Sequence, residues 1–159
     1  MTKQLICGRR MAALVLSKNE RTVRRLCDDG TLPVVGFVDR NSRKMAMVNI
    51  ADVLTILGER KIAEPELAEL IADADQGMAE AQNDLAIILL QEEQSPGAFT
   101  LFKAAAEQDY PDAMHWLYQC YQNGIGIERD ENLAMMWLNK AADHGHKIAK
   151  LQVTATAKN

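Results

Sequence analysis

Apolar and polar positions follow two rhythms along the chain. From residue 65 onward apolar side chains recur every three or four positions, as in Leu85 and Leu89 or Leu101, Ala104 and Ala105, the spacing of one helix face. Ser95-Pro96 and Tyr110-Pro111 put proline in a first helical turn, where its missing N–H is harmless, while Asn123-Gly124 and Gly145 interrupt the pattern. This predicts helices near 65–76, 79–91, 96–108, 111–123, 130–143 and 146–155, or three stacked helix pairs. Before residue 61 the elements are shorter and mixed. Met11 to Leu16 reads as a helix, and Asn19 caps a second over Glu20 to Asp28, with the box Ser17-x-x-Glu20 as a competing start. Gly30 is placed to end it in a left-handed cap, and Leu32-Pro33 cannot continue it. Val34 to Val38 and Met45 to Val48 are strand-like runs around the hairpin tip Asp39-Arg40-Asn41-Ser42-Arg43-Lys44. Asn49 caps a helix from Ile50 to Leu57, stopped by Gly58.

Charge divides the chain at the same place as the rhythm. The net charge of −4 over 159 residues is the sum of +6 in residues 1–61 and −10 in residues 62–159. Such an asymmetry points to a basic module with a polyanionic partner fused to an acidic module with another task. We take 1–61 and 62–159 as the expected domains. With 48% hydrophobic and 25% charged residues the chain is globular. No apolar run reaches the ~18 residues that cross a bilayer, and the N-terminus lacks a secretory leader pattern, so no membrane partner and a cytoplasmic location are expected. Cys7, Cys27 and Cys120 are odd in number and far apart; they form neither a disulfide framework nor a metal knuckle and read as small apolar fillers.

The acidic half repeats itself. Residues 98–113 align with 134–149: Ala98 meets Ala134, Phe102 meets Leu138, Ala105-Ala106 meets Ala141-Ala142, and Ala113 meets Ala149. An earlier copy sets Ala81 against Ala113 and Leu85 against Leu117. The run Ala113…Leu117…Cys120-Tyr121-Gln122-Asn123-Gly124-Ile125-Gly126-Ile127…Asp130…Ala134…Trp137-Leu138…Ala141-Ala142…Gly145-His146…Ala149 resembles the Sel1-like repeat, a relative of the tetratricopeptide repeat. The resemblance implies paired helices that present a surface to a protein partner, without catalysis. Two departures stand out: the first unit lacks the glycine loop, and Asp109 occupies the place of Gly145, which would distort the first turn. A bland alternative is that the repeats only stabilise the chain or mediate self-association. Trp116, Tyr118, Tyr121 and Trp137 fall largely where the repeat needs bulk, so they read as core more than as binding residues.

The basic half has its own resemblance. The sequence Asn19-Glu20-Arg21-Thr22-Val23-Arg24-Arg25-Leu26…Asp29-Gly30-Thr31-Leu32-Pro33 resembles the winged helix-turn-helix of excisionases and MerR-like regulators. It implies that the second helix enters the major groove of double-stranded DNA and that the hairpin wing touches neighbouring backbone. Carried over by position, Arg21, Thr22, Arg24 and Arg25 would be recognition-helix contacts, and Arg40, Arg43 and Lys44 wing contacts. Lys18 departs from the pattern at a turn position that is usually apolar. The chemistry suits the assignment, because guanidinium forks read guanine edges or clamp phosphates and Thr22 lies near a helix N-terminus. If the six cations among these residues all met phosphates, log K against log salt would slope roughly −5. The competing reading has the arginines form a solvated face paired with Glu20, Asp28 and Asp29.

Nothing here reads as an active site. There is no phosphate loop, GxGxxG, HExxH or serine elbow, and His115, His144 and His146 lack partners at metal-ligand spacing, so neither enzyme activity nor cofactor nor metal is expected. The expected fold is mainly α: a winged helix-turn-helix with a small β-hairpin, then an α-solenoid of about three helix pairs. The expected function is a DNA-binding transcriptional regulator or accessory recombination factor that recruits a protein through its repeats. The alternative is a protein-interaction adaptor whose winged helix does not bind DNA. Any homo-oligomer should form through the repeats or on the DNA, because Ile50 to Leu57 is too short for a MerR-type dimer helix.

Overall fold

The computed structural model describes residues 5–40, 42–57 and 65–157. Asn41 of the hairpin tip, Gly58 and the expected boundary at 61/62 lie outside them. The chain divides into two units, Met1–Gln76 and Gly77–Asn159.

In the first unit, strand β1 (Ile6–Gly8) leads into helix α1 (Arg9–Val15). Leu16 caps α1, Ser17 turns left-handed at φ 53°, and Lys18 N–H reaches back to the Ala13 carbonyl at 2.9 Å. Ser17 is therefore committed to ending α1, which removes it as a competing start for the next helix. Asn19 starts α2 (Glu20–Asp28), its side chain accepting from Thr22 N–H at 2.8 Å. Lys18 itself is exposed, and the neighbouring Leu16 supplies the buried apolar contact. After α2, Gly30 takes φ 81° and the Asp29 carboxylate accepts from Thr31 N–H; hydrogen bonding from the Thr31 side chain, then from this N–H, lowers the Asp29 pKa. The chain then folds back with Leu32 fully buried.

Strands β2 (Val34–Arg40) and β3 (Arg43–Asn49) form the expected hairpin, paired from Val38↔Met45 to Arg40↔Arg43, with an irregularity between Val34 and Gly36. The sequence pattern missed β1, which pairs antiparallel with β3 and makes the sheet three-stranded in the order β1-β3-β2. Three residues are too few to display a period of two. Asn49 caps α3 (Ile50–Leu57) through Ala51 N–H at 3.0 Å. Helix α4 (Pro65–Gln76) packs against β1 and α3, with Ile71, Ala72 and Ala74 buried. It thus joins the first unit, and the division falls after it, whereas the sequence reading placed it in the first repeat pair. Cys7 is buried beside Asp75, which together push its thiol up to about 12, so it is a protonated core side chain.

The second unit holds α5 (Ala79–Gln91), α6 (Ser95–Ala106), α7 (Pro111–Asn123), α8 (Glu131–Asp143) and α9 (Lys147–Thr156). These bounds follow the sequence expectation closely, but the partners differ. Helix α5 packs most extensively on α6 and α7 on α8, leaving α9 packed on α8 as a helix beyond the second pair. The aligned alanines Ala98, Ala105, Ala106, Ala113, Ala134, Ala141, Ala142 and Ala149 are all buried, so helices meet nearly backbone to backbone there. Between pairs the seam is aromatic. Phe102 stacks on Trp116 with centroids 5.2 Å apart, and Phe99 meets Tyr121 edge-on at 5.5 Å. Cys120 lies in this core, its thiol raised to about 11 by burial.

Asp109 was expected to distort its turn, and it does not. It adopts φ 62°, as Gly145 adopts φ 97°, and the bonds match: Tyr110 N–H to the Ala105 carbonyl corresponds to His146 N–H to the Ala141 carbonyl. Gly126 is required for another reason. It has φ 71°, and a Cβ there would collide with the Ser95 carbonyl oxygen, so the glycine loop lies directly against the start of α6.

The histidines have structural roles. His146 Nδ1 accepts from Ala149 N–H at 3.1 Å to cap α9, which requires that nitrogen to be unprotonated. Its ring stacks on His115 at 4.3 Å, and His115 Nε2 lies 2.9 Å from the Gln152 side-chain oxygen.

Two outcomes follow for stability. Replacing Asp109 by Gly should raise unfolding free energy by about 1 kcal/mol in a denaturant titration, by relieving the left-handed Cβ. Burial, then the neighbouring His115, depress the His146 pKa, with Asp112 opposing. The unfolded chain therefore binds this proton more readily, and stability present above pH ~6.5 should be lost as pH falls through the folded value. His146→Asn keeps a cap and should flatten that part of the melting-temperature profile.

Candidate functional site

The basic residues of the first unit gather on one surface. On α2, Val23 is fully buried and Leu26 and Cys27 are half-buried, which turns Arg21, Arg24 and Arg25 outward. These three line an open groove with Arg9, Glu20 and Asp28. A second groove, of about 720 Å³, is lined by Arg9, Arg10, Glu20, Arg40, Arg43, Lys44, Met45 and Ala46. Arg9 and Glu20 belong to both, so the start of α1 joins the α2 face to the hairpin. Arg9 and Arg10 were not among the sequence-derived site residues, because the apolar pattern of α1 begins only at Met11. The signal was their charge next to the β1–α1 junction, which becomes informative once that junction is seen to lie between α2 and the hairpin.

The sequence-derived residues fare differently from one another. Arg21, Arg24 and Arg25 are exposed and form no ion pair among the described residues, so the reading in which they are tied to Glu20, Asp28 and Asp29 gains no close contact. Arg25 acts on Asp29 only as one of the smaller influences lowering its pKa. Thr22 is half-buried and its N–H is occupied by Asn19, which leaves the amides before it as the free donors of the helix start. Arg43 and Lys44 are exposed at the hairpin tip, with the Lys44 ammonium 5.4 Å from the exposed Phe37 ring.

Arg40 is the exception. Its guanidinium donates to the Asp75 carbonyl at 2.6 Å and pairs with Asp75 Oδ2 at 3.2 Å. The Asp75 side chain is only 8% exposed and that of Arg40 33%. Expected as a free DNA contact, Arg40 instead ties the hairpin tip to the end of α4. The sequence offered no sign of this, since the partners are 35 positions apart.

No group of three or more His, Cys, Asp or Glu among the described residues could hold a metal ion. No described helix is long and apolar enough to cross a membrane.

The repeat unit matches known proteins. The Sel1 repeat family profile aligns with residues 79–119 and 111–146, covering α5 through α8. A Sel1 repeat protein from Oxalobacter formigenes is 34% identical, over 57% of this chain and 28% of its own, with a TM-score of 0.53. A protective antigen of uropathogenic Escherichia coli strains that displays an SLR fold is 21% identical over 91% of this chain and 31% of its own, with a TM-score of 0.51. At that identity the second likeness concerns fold alone. The chain spans less than a third of the length of either. No curated protein matches it. The two matched ranges together span α5 to α8 and the glycine loop between α7 and α8.

The ion pair makes a prediction about the hairpin. Arg40→Ala leaves Asp75 buried without its cation and should cost about 3 kcal/mol in a denaturant titration, while Arg43→Ala and Lys44→Ala should each change stability by less than about 0.5 kcal/mol.

Proposed function

We propose that this protein is a non-enzymatic interaction protein whose Sel1 repeat unit docks another protein. The observation that carries this is the repeat stack itself: two helix pairs and a further helix packed through buried alanines and an aromatic seam, a framework whose outward side chains can recognise a partner. Helix-repeat arrays present extended surfaces without catalytic groups, and the repeat match supports assigning this chain the same use.

A second reading is favoured by a separate observation. The first unit brings Arg9, Arg10, Arg21, Arg24, Arg25, Arg43 and Lys44 to adjoining grooves, against which Glu20 and Asp28 are the lining acids. Two helices joined by a tight turn and followed by a hairpin suit a winged helix-turn-helix, with α2 in the major groove and the β2–β3 tip on the adjacent backbone. On this reading the protein couples DNA to a partner, as a regulator or recombination accessory would. Arg40 is a positioning residue in it, and Arg9 and Arg10 join the contacts.

One experiment separates the readings. The purified full chain is titrated with a labelled duplex over a salt series, and in parallel its captured partners are compared before and after nuclease treatment. If Arg9, Arg10, Arg21, Arg24, Arg25, Arg43 and Lys44 each meet a phosphate, the log–log salt slope should be about −6.3, and Arg24→Ala with Arg25→Ala should reduce it by about 2. Absence of binding at low salt would sink the DNA reading. Loss of every captured protein on nuclease treatment would sink the docking one.

A further inference from the structure

An exposed aromatic of the first unit takes no part in its core. Strand β2 is an outer strand of the sheet, and Val34, Val35, Phe37 and Val38 are all exposed on it, Phe37 most of all at 62%. The ladder fixes which way the ring faces. Phe37 lies opposite Ala46 and Asp39 opposite Lys44, so these four side chains share one face of the hairpin. Ala46 and Lys44 also line the basic groove of Arg9, Arg10, Arg40 and Arg43, which puts Phe37 at its rim. The Lys44 ammonium, 5.4 Å from the ring centroid, sets a cation against the ring while leaving most of it open. An aromatic ring left in water beside a cluster of cations fits a ligand that offers both negative charge and flat apolar surface.

Three ligands could cover such a ring, and the hairpin suits one of them. A lipid surface would be met tip first, yet the tip carries Asp39, Arg40, Arg43 and Lys44, and Phe37 stands three rungs behind the Arg40–Arg43 pair, about 10 Å back along the strand. A strand from a second copy or another protein would pair along the open edge of β2, which the irregularity between Val34 and Gly36 interrupts. Duplex DNA offers phosphates to Arg10, Arg43 and Lys44 and stacked bases to the ring. Glu20 and Asp39 are the acids among these cations, and Asp39 lies directly opposite Lys44. With α2 in the major groove, a hairpin beside it meets the adjoining minor groove, where apolar side chains act by wedging between base steps. We propose that Phe37 is a DNA wedge, its ring entering a base step from the minor groove while Arg43 and Lys44 hold the flanking phosphates. This rests on the DNA reading and adds how the duplex is read: steps that unstack easily are favoured.

The test uses the full chain and two labelled duplexes of about 25 base pairs, alike except for a central mismatch in one, where unstacking costs less. Fluorescence anisotropy over a salt series should show the mismatched duplex bound at least about fivefold more tightly than the paired one. Phe37→Ala should abolish that preference and weaken binding about tenfold. It should leave the salt slope unchanged, because the ring displaces no counterion, and the melting temperature unchanged, because the position is exposed. Phe37→Trp should retain the preference, whereas Lys44→Ala should lower the slope by about 0.9. Asp39→Asn, which removes the carboxylate on the ring's face, should tighten binding to both duplexes. Equal affinity for the two duplexes, or a preference that survives Phe37→Ala, would overturn the proposal and leave the DNA reading standing on its salt slope. Absence of binding to either duplex at low salt would overturn both. A dimer in sedimentation, or binding to phosphatidylserine vesicles, that Phe37→Ala abolishes would assign the ring to a second copy or to a lipid surface and overturn the wedge.

Discussion

Close approach of helix backbones is the constraint on which the second unit rests. Each pair meets through alanines, Ala98 and Ala105 on α6, Ala134 and Ala141 on α8, with Ala113 and Ala149 on the helices between and beyond them, and none has a side chain long enough to hold its neighbour away. Small residues cannot supply much apolar area, so the stack draws it from the seams. Phe102 and Trp116 lie nearly parallel, and Phe99 and Tyr121 nearly perpendicular, between the first pair and the second. Where helices run close, the connecting turns have no slack. That explains why three different residues, Glu93, Asp109 and Gly145, take the same left-handed turn at the ends of α5, α6 and α8. Geometry there is set by the spacing of the helices, and residue type only adjusts its cost.

The first unit solves a different problem. Its helices are short, and its core is assembled from Cys7 on a strand, Val23 on α2, Leu32 in a connection, Val48 on the sheet and Ile71 on α4. A small unit built in this way depends on long-range closures, and Arg40 with Asp75 is one of them, joining the hairpin tip to the last helix. The outcome for chemistry is a division of labour among cations that look alike in sequence: among the described residues, the Arg40 guanidinium is structural, whereas Arg10, Arg21, Arg24, Arg25, Arg43 and Lys44 are exposed.

How much of this was legible in the sequence depended on the range of the interaction. The bounds of α5 to α9, the Asn19 and Asn49 caps and the left-handed Gly30 are decided within four residues, and local pattern found them. The grouping of helices into pairs was not local. Helix α4 has the same period as α5, and only its contacts with β1 and α3 assign it to the first unit. Strand β1 was too short to announce itself. At the basic surface, Arg21, Arg24 and Arg25 were placed correctly because helical spacing carries them past Val23, whereas Arg40 was read as free because its partner is remote in sequence. Arg9 and Arg10 escaped notice for the converse reason, since they precede the apolar pattern that marks their helix.

The ion pair between the hairpin and α4 also bears on how the tip would meet a ligand. A two-stranded ribbon extending from a sheet is ordinarily loose, and a ligand that orders it forfeits part of its binding energy in doing so. Here Arg40, the last residue of β2, is clamped at both a carbonyl and a carboxylate of Asp75. Arg43 and Lys44, paired with Arg40 and Asp39 across the ladder, inherit that fixity. The outer ends of β2 and β3 are thereby held to the last helix of the first unit.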